Sequence, residues 1–264
     1  MKISLALVFV ILVLPGVHGQ ILKVDKGDIM ADSSGYFLGG INVDYNVNNR
    51  SATADKEVVF TGFRAKADLV YVGSRNAYIL INDFNYFKST GGPLISNGYS
   101  HFRVNWLRKR TLSYETYAQI QYDDGRSMPL RQLVGGGVRW SLARNRKHKL
   151  HVGTGLMWEY EEWKTLGEES VIIDKEIIKN STYVGFKTLI YDYVSFNGVA
   201  YYQVGYDDES NVYRSRYSGD LALSFKLTNN LSFSTSFTAQ YENRPIIDIP
   251  NWVYSLTNGL KWEF

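Results

Sequence analysis

The sequence contains no cysteine among its 264 residues. This absence excludes disulfide bonds, thiol catalysis and thiolate metal sites. Histidine is scarce, with four residues, and neither sign of charge dominates, since 29 Lys and Arg stand against 26 Asp and Glu. A formal charge of +3 without a basic tail gives no reason to expect a nucleic-acid partner. Beyond the N-terminus no stretch is apolar enough for a transmembrane helix, and no motif calls for a cofactor.

The N-terminus reads as a cleaved secretory signal over residues 1–19. One lysine precedes an apolar run from 3 to 14, which a Pro-Gly pair ends. Val17 and Gly19 are small residues at the positions that a signal peptidase requires for cleavage before Gln20. A membrane anchor is the alternative, but it needs about 20 apolar residues and this run is too short.

The rest of the chain alternates apolar and polar residues with the period of β-strands. Near the C-terminus Leu221, Leu223 and Phe225 share one face, while Ser224 and Lys226 share the other. The same reading predicts twelve strands, over residues 35–46, 57–71, 76–87, 98–108, 112–122, 131–142, 149–161, 181–191, 194–206, 212–227, 231–241 and 252–264.

These lengths and connections favour a closed antiparallel transmembrane β-barrel. Spanning a bilayer at a tilt takes about 9–11 residues per strand, and most predicted strands reach that length. Connections after even-numbered strands are short and most of those after odd-numbered strands are longer, as in outer-membrane barrels with periplasmic termini. We therefore predict a periplasmic segment over 20–34 and a monomeric barrel over 35–264, exported to the bacterial outer membrane. A soluble secreted β-sandwich is the alternative, because the period alone does not separate the two.

The two faces of the predicted strands differ in chemistry. The outward positions are Phe63, Leu69, Phe102, Val104, Trp106, Val138, Trp140, Leu156, Trp158, Phe186, Phe196 and Val204. The inward positions include Arg64, Lys66, Asp68, His101, Arg103, Asn105, Glu115, Gln119, Gln121, Arg131, Arg139, Glu159, Glu161, Lys187, Asp220 and Lys226. The third strand fits worst, because one phase faces Asn82 to lipid and the other faces Asp83.

The C-terminal strand carries alternating aromatics. Trp252, Tyr254, Trp262 and Phe264 would lie in interfacial aromatic belts, in contact with outer-membrane lipid. A terminal Phe on such a strand resembles the signal by which the bacterial barrel assembly machinery recognises its clients. That machinery and lipid are the partners we expect.

The middle of the chain resembles an uncharacterised family, the domain-of-unknown-function 481 group of salt-induced outer-membrane proteins. The resemblance lies in "SHFRVNWLRKRTLSYETYAQIQYDDGRSMPLRQLVGGGVRW" and "VGTGLMWEYEEW". It covers roughly residues 36 to 264. It implies a barrel and an outer-membrane address, but it implies no activity and no ligand residues.

The inward charges suggest two functions. A narrow channel for small solutes would prefer anions, since the predicted inward cations outnumber the anions. A barrel closed by mutually paired side chains would instead act as a scaffold or adhesin through its extracellular loops. About twelve strands lies between filled and open barrels, so size does not decide. The candidate selectivity residues are Arg64, Lys66, His101, Arg103, Glu115, Arg131, Arg139, Glu159 and Lys187.

Catalysis and metal binding are weaker hypotheses. His101 and Glu115 share the inner face of adjacent strands, but no serine lies in place for a hydrolase triad, so we expect a structural His–carboxylate hydrogen bond and no enzyme. The acids of two similar loops could hold a divalent cation, although solvated loop acids are the default. They are Asp123, Asp124, Asp207 and Asp208. The apolar loop residues 171–178 could constrict the mouth or extend two strands, and their β-branching favours extension. Gly135 to Gly137 suit a bend or tight packing in the wall.

Overall fold

The computed structural model describes residues 34–48, 60–90, 92–145, 147–167, 170–228 and 231–262. Twelve strands form one sheet in which each strand pairs antiparallel with the next along the chain. They are β1 (Tyr36–Asn48), β2 (Phe60–Val72), β3 (Ala77–Ser89), β4 (Gly92–Trp106), β5 (Leu112–Asp123), β6 (Met128–Arg144), β7 (His148–Lys164), β8 (Ile172–Tyr191), β9 (Val194–Asp207), β10 (Val212–Lys226), β11 (Leu231–Glu242) and β12 (Trp252–Trp262). A 3-10 turn, Asp124–Arg126, lies between β5 and β6.

The predicted twelve strands and their antiparallel order are confirmed. The largest boundary errors are β4, which begins at Gly92 rather than 98, and β8, which begins at Ile172 rather than 181. The earlier start of β8 shows that the apolar residues 172–178 extend the strands, because Ile172 pairs with Lys164 and lengthens the β7–β8 hairpin. The predicted signal peptide and the segment 20–33 lie outside the described residues.

The sheet is strongly curved. Arg126 lies beside β6 and Glu242 ends β11, yet their side chains form an ion pair of 3.2 Å. In a flat sheet β6 and β11 would be about 24 Å apart, since neighbouring strands are about 4.8 Å apart. The sheet therefore curls until strands five apart face each other across its inner side. Closure of β12 onto β1 stays a prediction, because the described pairings run from β1 to β12.

The two ends of the curved sheet differ. The turn end carries short connections, such as 73–76 between β2 and β3 and 192–193 between β8 and β9. The loop end carries the β5–β6, β7–β8 and β11–β12 connections. No helix among the described residues is long and apolar enough to cross a membrane.

The outer face is apolar and exposed. Six of the residues predicted to face outward are exposed there: Phe63, Leu69, Phe102, Trp106, Trp140 and Leu156. Val104 lies on the same face but is only 6% exposed, between the large side chains of Phe102 and Trp106 along its own strand. Trp252 and Tyr254 are also exposed on β12. The Trp262 side chain and Phe264 lie outside the described part of the chain.

The phase of β3 is resolved by its partners. Asp83 lies on the inner face, where it accepts a hydrogen bond from Arg64 at 3.1 Å. Asn82 takes the outer phase, and its amide donates to the carbonyl of Ala67 at 3.5 Å. Towards the turn end the inner face of β2 and β3 is aliphatic rather than charged. The buried cluster there consists of Val70, Val72, Ala77, Ile79, Ile81 and Tyr99.

Candidate functional site

Towards the loop end, the inner face carries a dense group of ion pairs that we call the loop-end network. Its members come from the β5–β6 turn and from five strands, so the network links distant parts of the sheet. They are Arg126, Arg131, Glu159, Glu161, Lys179, Arg216 and Glu242.

Glu159 on β7 is the centre of this network. Its carboxylate accepts hydrogen bonds from Arg131 on β6 at 2.5 Å and from Arg216 on β10 at 3.2 Å. It also accepts from the ammonium group of Lys179 on β8. Arg216 contacts Glu161 at 2.6 Å and Glu242 at 2.9 Å. One arginine thus joins β7, β10 and β11 across the interior.

The β11–β12 loop packs over this network. Ile247, in the loop, packs with Met128 at the start of β6 and with Trp163 near the end of β7. The Trp163 indole is fully buried, and the Arg126 guanidinium lies 5.5 Å from its ring centre. We call residues 243–251 the lid, because they cover the inner side of the sheet at the loop end.

A second group, the turn-end network, lies nearer the short turns. Glu115 on β5 lies 3.6 Å from Arg103 on β4 and 3.6 Å from Arg139 on β6. Tyr183 on β8 donates its hydroxyl to Glu115 at 2.5 Å. Two guanidinium groups therefore share one carboxylate, and this network carries a surplus positive charge.

Glycines make room for the tyrosines of the turn-end network. A methyl group on Gly135 would lie 2.7 Å from the Tyr117 ring, and one on Gly153 would overlap the Tyr183 ring. The two rings therefore lie over bare backbone of the neighbouring strands. They flank the Arg103 guanidinium, whose carbon is 5.3 Å from the centre of Tyr117 and 5.8 Å from that of Tyr183. The tight packing predicted for the glycine-rich part of β6 is what the structure shows.

A polar cavity of ≈ 80 Å³ lies between the two networks. Its lining combines guanidinium groups, tyrosine rings, amides and hydroxyls. Among the lining residues are Tyr99, His101, Arg103, Tyr117, Gln119, Arg131, Ser181, Tyr183, Tyr201, Gln203, Arg216, Ser218 and Gln240. The lining also includes Glu115 and the apolar side chains of Leu133, Val138 and Met157, so the polar groups can orient a small polar solute or ion between them.

Six of the sequence-predicted site residues lie on this cavity or in the networks beside it: His101, Arg103, Glu115, Arg131, Arg139 and Glu159. Arg64 and Lys66 lie apart on β2, where they pair with Asp83 at 3.1 Å and with Asp68 at 3.5 Å. Lys187 lies on β8 opposite Lys149 in the register.

The predicted hydrogen bond between His101 and a carboxylate is wrong. The His101 ring nitrogen Nδ1 lies 2.9 Å from the Oε1 atom of Gln119. The reason is register, since His101 pairs with Gln119 while Glu115 pairs with Asn105 further along the strand. Ser113, on β5 of the same hairpin, donates to the carbonyl of Arg139 at 3.3 Å.

The loop acids do not assemble around a cation position. Asp207 is 2% exposed at its side chain and accepts hydrogen bonds from Arg214 at 2.7 Å and Lys175 at 3.3 Å. Burial raises the pKa of Asp207, but the bonds from Arg214, Ser210 and Lys175 outweigh burial and hold that pKa well below its usual range. Among the described residues no group of three or more acids and histidines could hold a metal ion. Asp123 is buried at the end of β5, Asp124 begins the 3-10 turn and Asp208 is exposed.

Sequence reasoning missed part of the networks. Lys179 and Glu242 lay just beyond the predicted ends of β8 and β11, and Arg126 lay in a connection, so none was assigned to the inner face. Tyr183 and Tyr117 were not singled out, although both alternate in phase with inward charges on their strands. Phase alone could have found the tyrosines.

The sequence matches the model of a family described as "Protein of unknown function, DUF481" over residues 41–248. The chain belongs to that family, which confirms the assignment made from its motifs; the match does not test the salt-induced description. No curated protein matches the sequence.

Two solved structures share a distant likeness. One is "NanC porin structure in rhombohedral crystal form", with a TM-score of 0.42, 9% identity and coverage of 77% of this chain and 94% of that chain. The other is "CymD monoaromatic hydrocarbon channel", with a TM-score of 0.42, 10% identity and coverage of 91% and 83%. At these values the likeness carries no argument about the function of this chain.

Proposed function

We propose that this member of the family is a bacterial outer-membrane β-barrel that forms a narrow channel for small solutes and prefers anions. The proposal includes closure of β12 onto β1, removal of residues 1–19 on export and periplasmic termini. It also includes a monomeric state in the membrane, with contact to lipid and to the barrel assembly machinery.

The outer face supports the membrane location. It presents a broad band of exposed aromatic and aliphatic side chains, among them Phe63, Phe102 and Trp140. Burying a Lys or Arg on such a face at the bilayer midplane would cost about 2–4 kcal/mol. Among the described strand residues, acids appear on this face only towards the loop end, at Glu162, Asp174 and Glu176 in the extended β7–β8 hairpin. That distribution suits a hairpin that projects beyond the lipid.

The cation surplus around the cavity is the observation that carries the anion preference. The loop-end and turn-end networks contain six Arg or Lys residues and four Glu residues. The ion pairs Arg64–Asp83 and Lys66–Asp68 are neutral as pairs, so they do not change this surplus. Buried Asp220 adds one negative charge and reduces the surplus by one. A constriction lined by a net positive charge concentrates small anions and repels cations.

Ion flux into vesicles tests this function. Vesicles that contain the refolded mature chain and a halide-sensitive dye should take up chloride. This uptake should be faster than the uptake of potassium by matched vesicles that contain a potassium-sensitive dye. Changing Arg103 and Arg139 to Gln should lower the chloride rate several-fold relative to potassium, while Arg144→Gln, at the exposed end of β6, should leave the ratio unchanged. Equal chloride and potassium rates in the unaltered protein would overturn the anion preference.

A plugged barrel that acts through its loops is the second candidate. The observation in its favour is that the lid and the loop-end network fill the interior at one end, where Trp163 and Glu159 are almost fully buried. Vesicles that contain folded protein but take up neither ion would favour this candidate.

A further inference from the structure

Arg103 is a buried cation whose donors are largely unused. The side chain is 3% exposed and lines the cavity. Its Nε and Nη1 atoms have no hydrogen-bond acceptor among the described residues. A buried guanidinium without acceptors is costly, and protein interiors seldom keep one without a polar partner.

Glu115 does not saturate Arg103. The distance of 3.6 Å between Arg103 Nη1 and Glu115 Oε2 gives electrostatic attraction but is too long for a hydrogen bond. The same carboxylate stands at 3.6 Å from Arg139 and accepts the Tyr183 hydroxyl. Glu115 therefore accepts no hydrogen bond that would satisfy the Nε or Nη1 atom of Arg103, and the Arg103 side chain lines the cavity.

We propose that the cavity is a binding site for a small hydroxylated monocarboxylate, with its carboxylate on Arg103. The assignment rests on the proposed function, since it names the solute class that would enter the same interior. The rings of Tyr117 and Tyr183 lie within cation–π distance of the guanidinium and limit its movement, so its planar fork is preorganised for a carboxylate.

The other lining residues determine which chemical groups the rest of the solute should carry. Gln119, Gln203, Ser181 and Tyr201 contribute amides and hydroxyls, which are suited to hydroxyl groups on a short carbon chain. Glu115, on the same wall, repels a second negative charge, which favours monoanions over dianions. A volume of ≈ 80 Å³ limits the part of the solute enclosed to a few non-hydrogen atoms.

Titration calorimetry of the refolded protein in detergent micelles tests the site without requiring conduction. The probes are lactate, gluconate, the dianion malonate and chloride. We expect saturable binding of lactate or gluconate, with malonate and chloride at least about tenfold weaker, because Glu115 repels the second charge of malonate and chloride cannot accept two parallel hydrogen bonds from the planar fork. Arg103→Gln should weaken carboxylate binding about tenfold or more, and Arg103→Lys should weaken it less, because lysine keeps the charge but loses the fork.

Arg64→Gln is the matched control, because Arg64 is an inner-face arginine that pairs with Asp83 away from the cavity. Its affinity for lactate should be unchanged. Heat-modifiable mobility on gels identifies the samples that are folded. If Arg103→Gln does not fold, the affinity of Arg103→Lys for lactate and gluconate still tests the site. No binding heat with either carboxylate, equal affinity for chloride, or unchanged affinity in the folded Arg103 variants would overturn the assignment. Binding in micelles together with vesicles that pass no ions would refute the channel and keep the site.

Discussion

The guanidinium of Arg126, in the turn between β5 and β6, lies 3.2 Å from the carboxylate of Glu242 at the end of β11. This single ion pair shows how far the sheet curls, because Arg126 lies just before β6 and Glu242 ends β11, and these two strands are five apart in the sheet order. It also fixes the lid, since Arg126 stacks on Trp163 and Trp163 packs against Ile247. The curvature of the sheet and the closure of its loop end depend on the same contacts.

Replacing Ile247 by Asp should release the lid. A carboxylate cannot be buried against Trp163 and Met128 without a partner, so the loop should leave the inner side of the sheet. Where the interior conducts, ion uptake into vesicles should rise several-fold. Val171→Asp is the control, since Val171 is 60% exposed near the neighbouring hairpin and its change should leave uptake unaltered. Unchanged uptake in both variants would show that the lid does not limit passage.

Replacing Glu159 by Gln should destabilise the protein strongly. The variant leaves Arg131, Lys179 and Arg216 facing one another with less negative charge between them. Removing one partner of a buried ion pair typically costs about 3–5 kcal/mol. Urea unfolding of the vesicle-inserted protein measures the loss. Glu209→Gln, whose side chain is 80% exposed, should change the free energy of unfolding by about 0.5 kcal/mol or less. Equal effects at Glu159 and Glu209 would contradict the central role of Glu159.

Replacing Gly153 by Ala should displace Tyr183. The added methyl group would overlap the Tyr183 ring, which would have to leave Glu115 and Arg103. Overpacking of this kind costs about 1–3 kcal/mol in the free energy of unfolding. Gly219→Ala is the matched control, because the nearest atom to its methyl group would be 3.8 Å away. A Gly153 variant as stable as the Gly219 variant would show that the ring has room to move.

The contribution of Asp207 should depend on pH. Its pKa is lowered in the folded state, so its charge stabilises the fold fully above the unfolded pKa of about 3.9. That contribution should be lost as the pH falls from about 3.9 through the folded value. The difference in urea midpoint between the unaltered protein and Asp207→Asn should therefore be large at pH 7 and shrink below about pH 4. If the difference in urea midpoint stays constant with pH, the charge of Asp207 does not stabilise the fold. Asp208→Asn is the control, because Asp208 is exposed and its replacement should leave the urea midpoint unchanged at both pH values.

Much of the fold could be predicted from the sequence, because each strand has one apolar and one polar face. That alternation gave twelve strands and placed Arg103, Glu115 and Arg139 on the inner side. It could not give the register between strands, and register decides that His101 meets Gln119 rather than Glu115. It also could not give curvature, which brings Arg216 on β10 to Glu161 on β7 and the lid onto Trp163.

The site was predicted only in part for the same reason. Phase identifies which side chains point inward, but pairing across the interior depends on the stagger of distant strands. Lys179 and Glu242 lie where strands extend beyond their predicted ends, and extension follows from the partner strand rather than from local sequence. That Glu115 lies beside two arginines, Arg103 and Arg139, and leaves a surplus positive charge is apparent only from these distances.

The reversal potential of single-channel currents in a planar bilayer tests the central claim most directly. The refolded mature chain would be inserted between two potassium chloride solutions of different concentration. An anion-preferring channel predicts discrete, small conductance steps whose reversal potential is displaced towards the equilibrium potential of chloride. A silent membrane containing protein that is folded by heat-modifiable mobility, or a displacement towards potassium, would contradict the account.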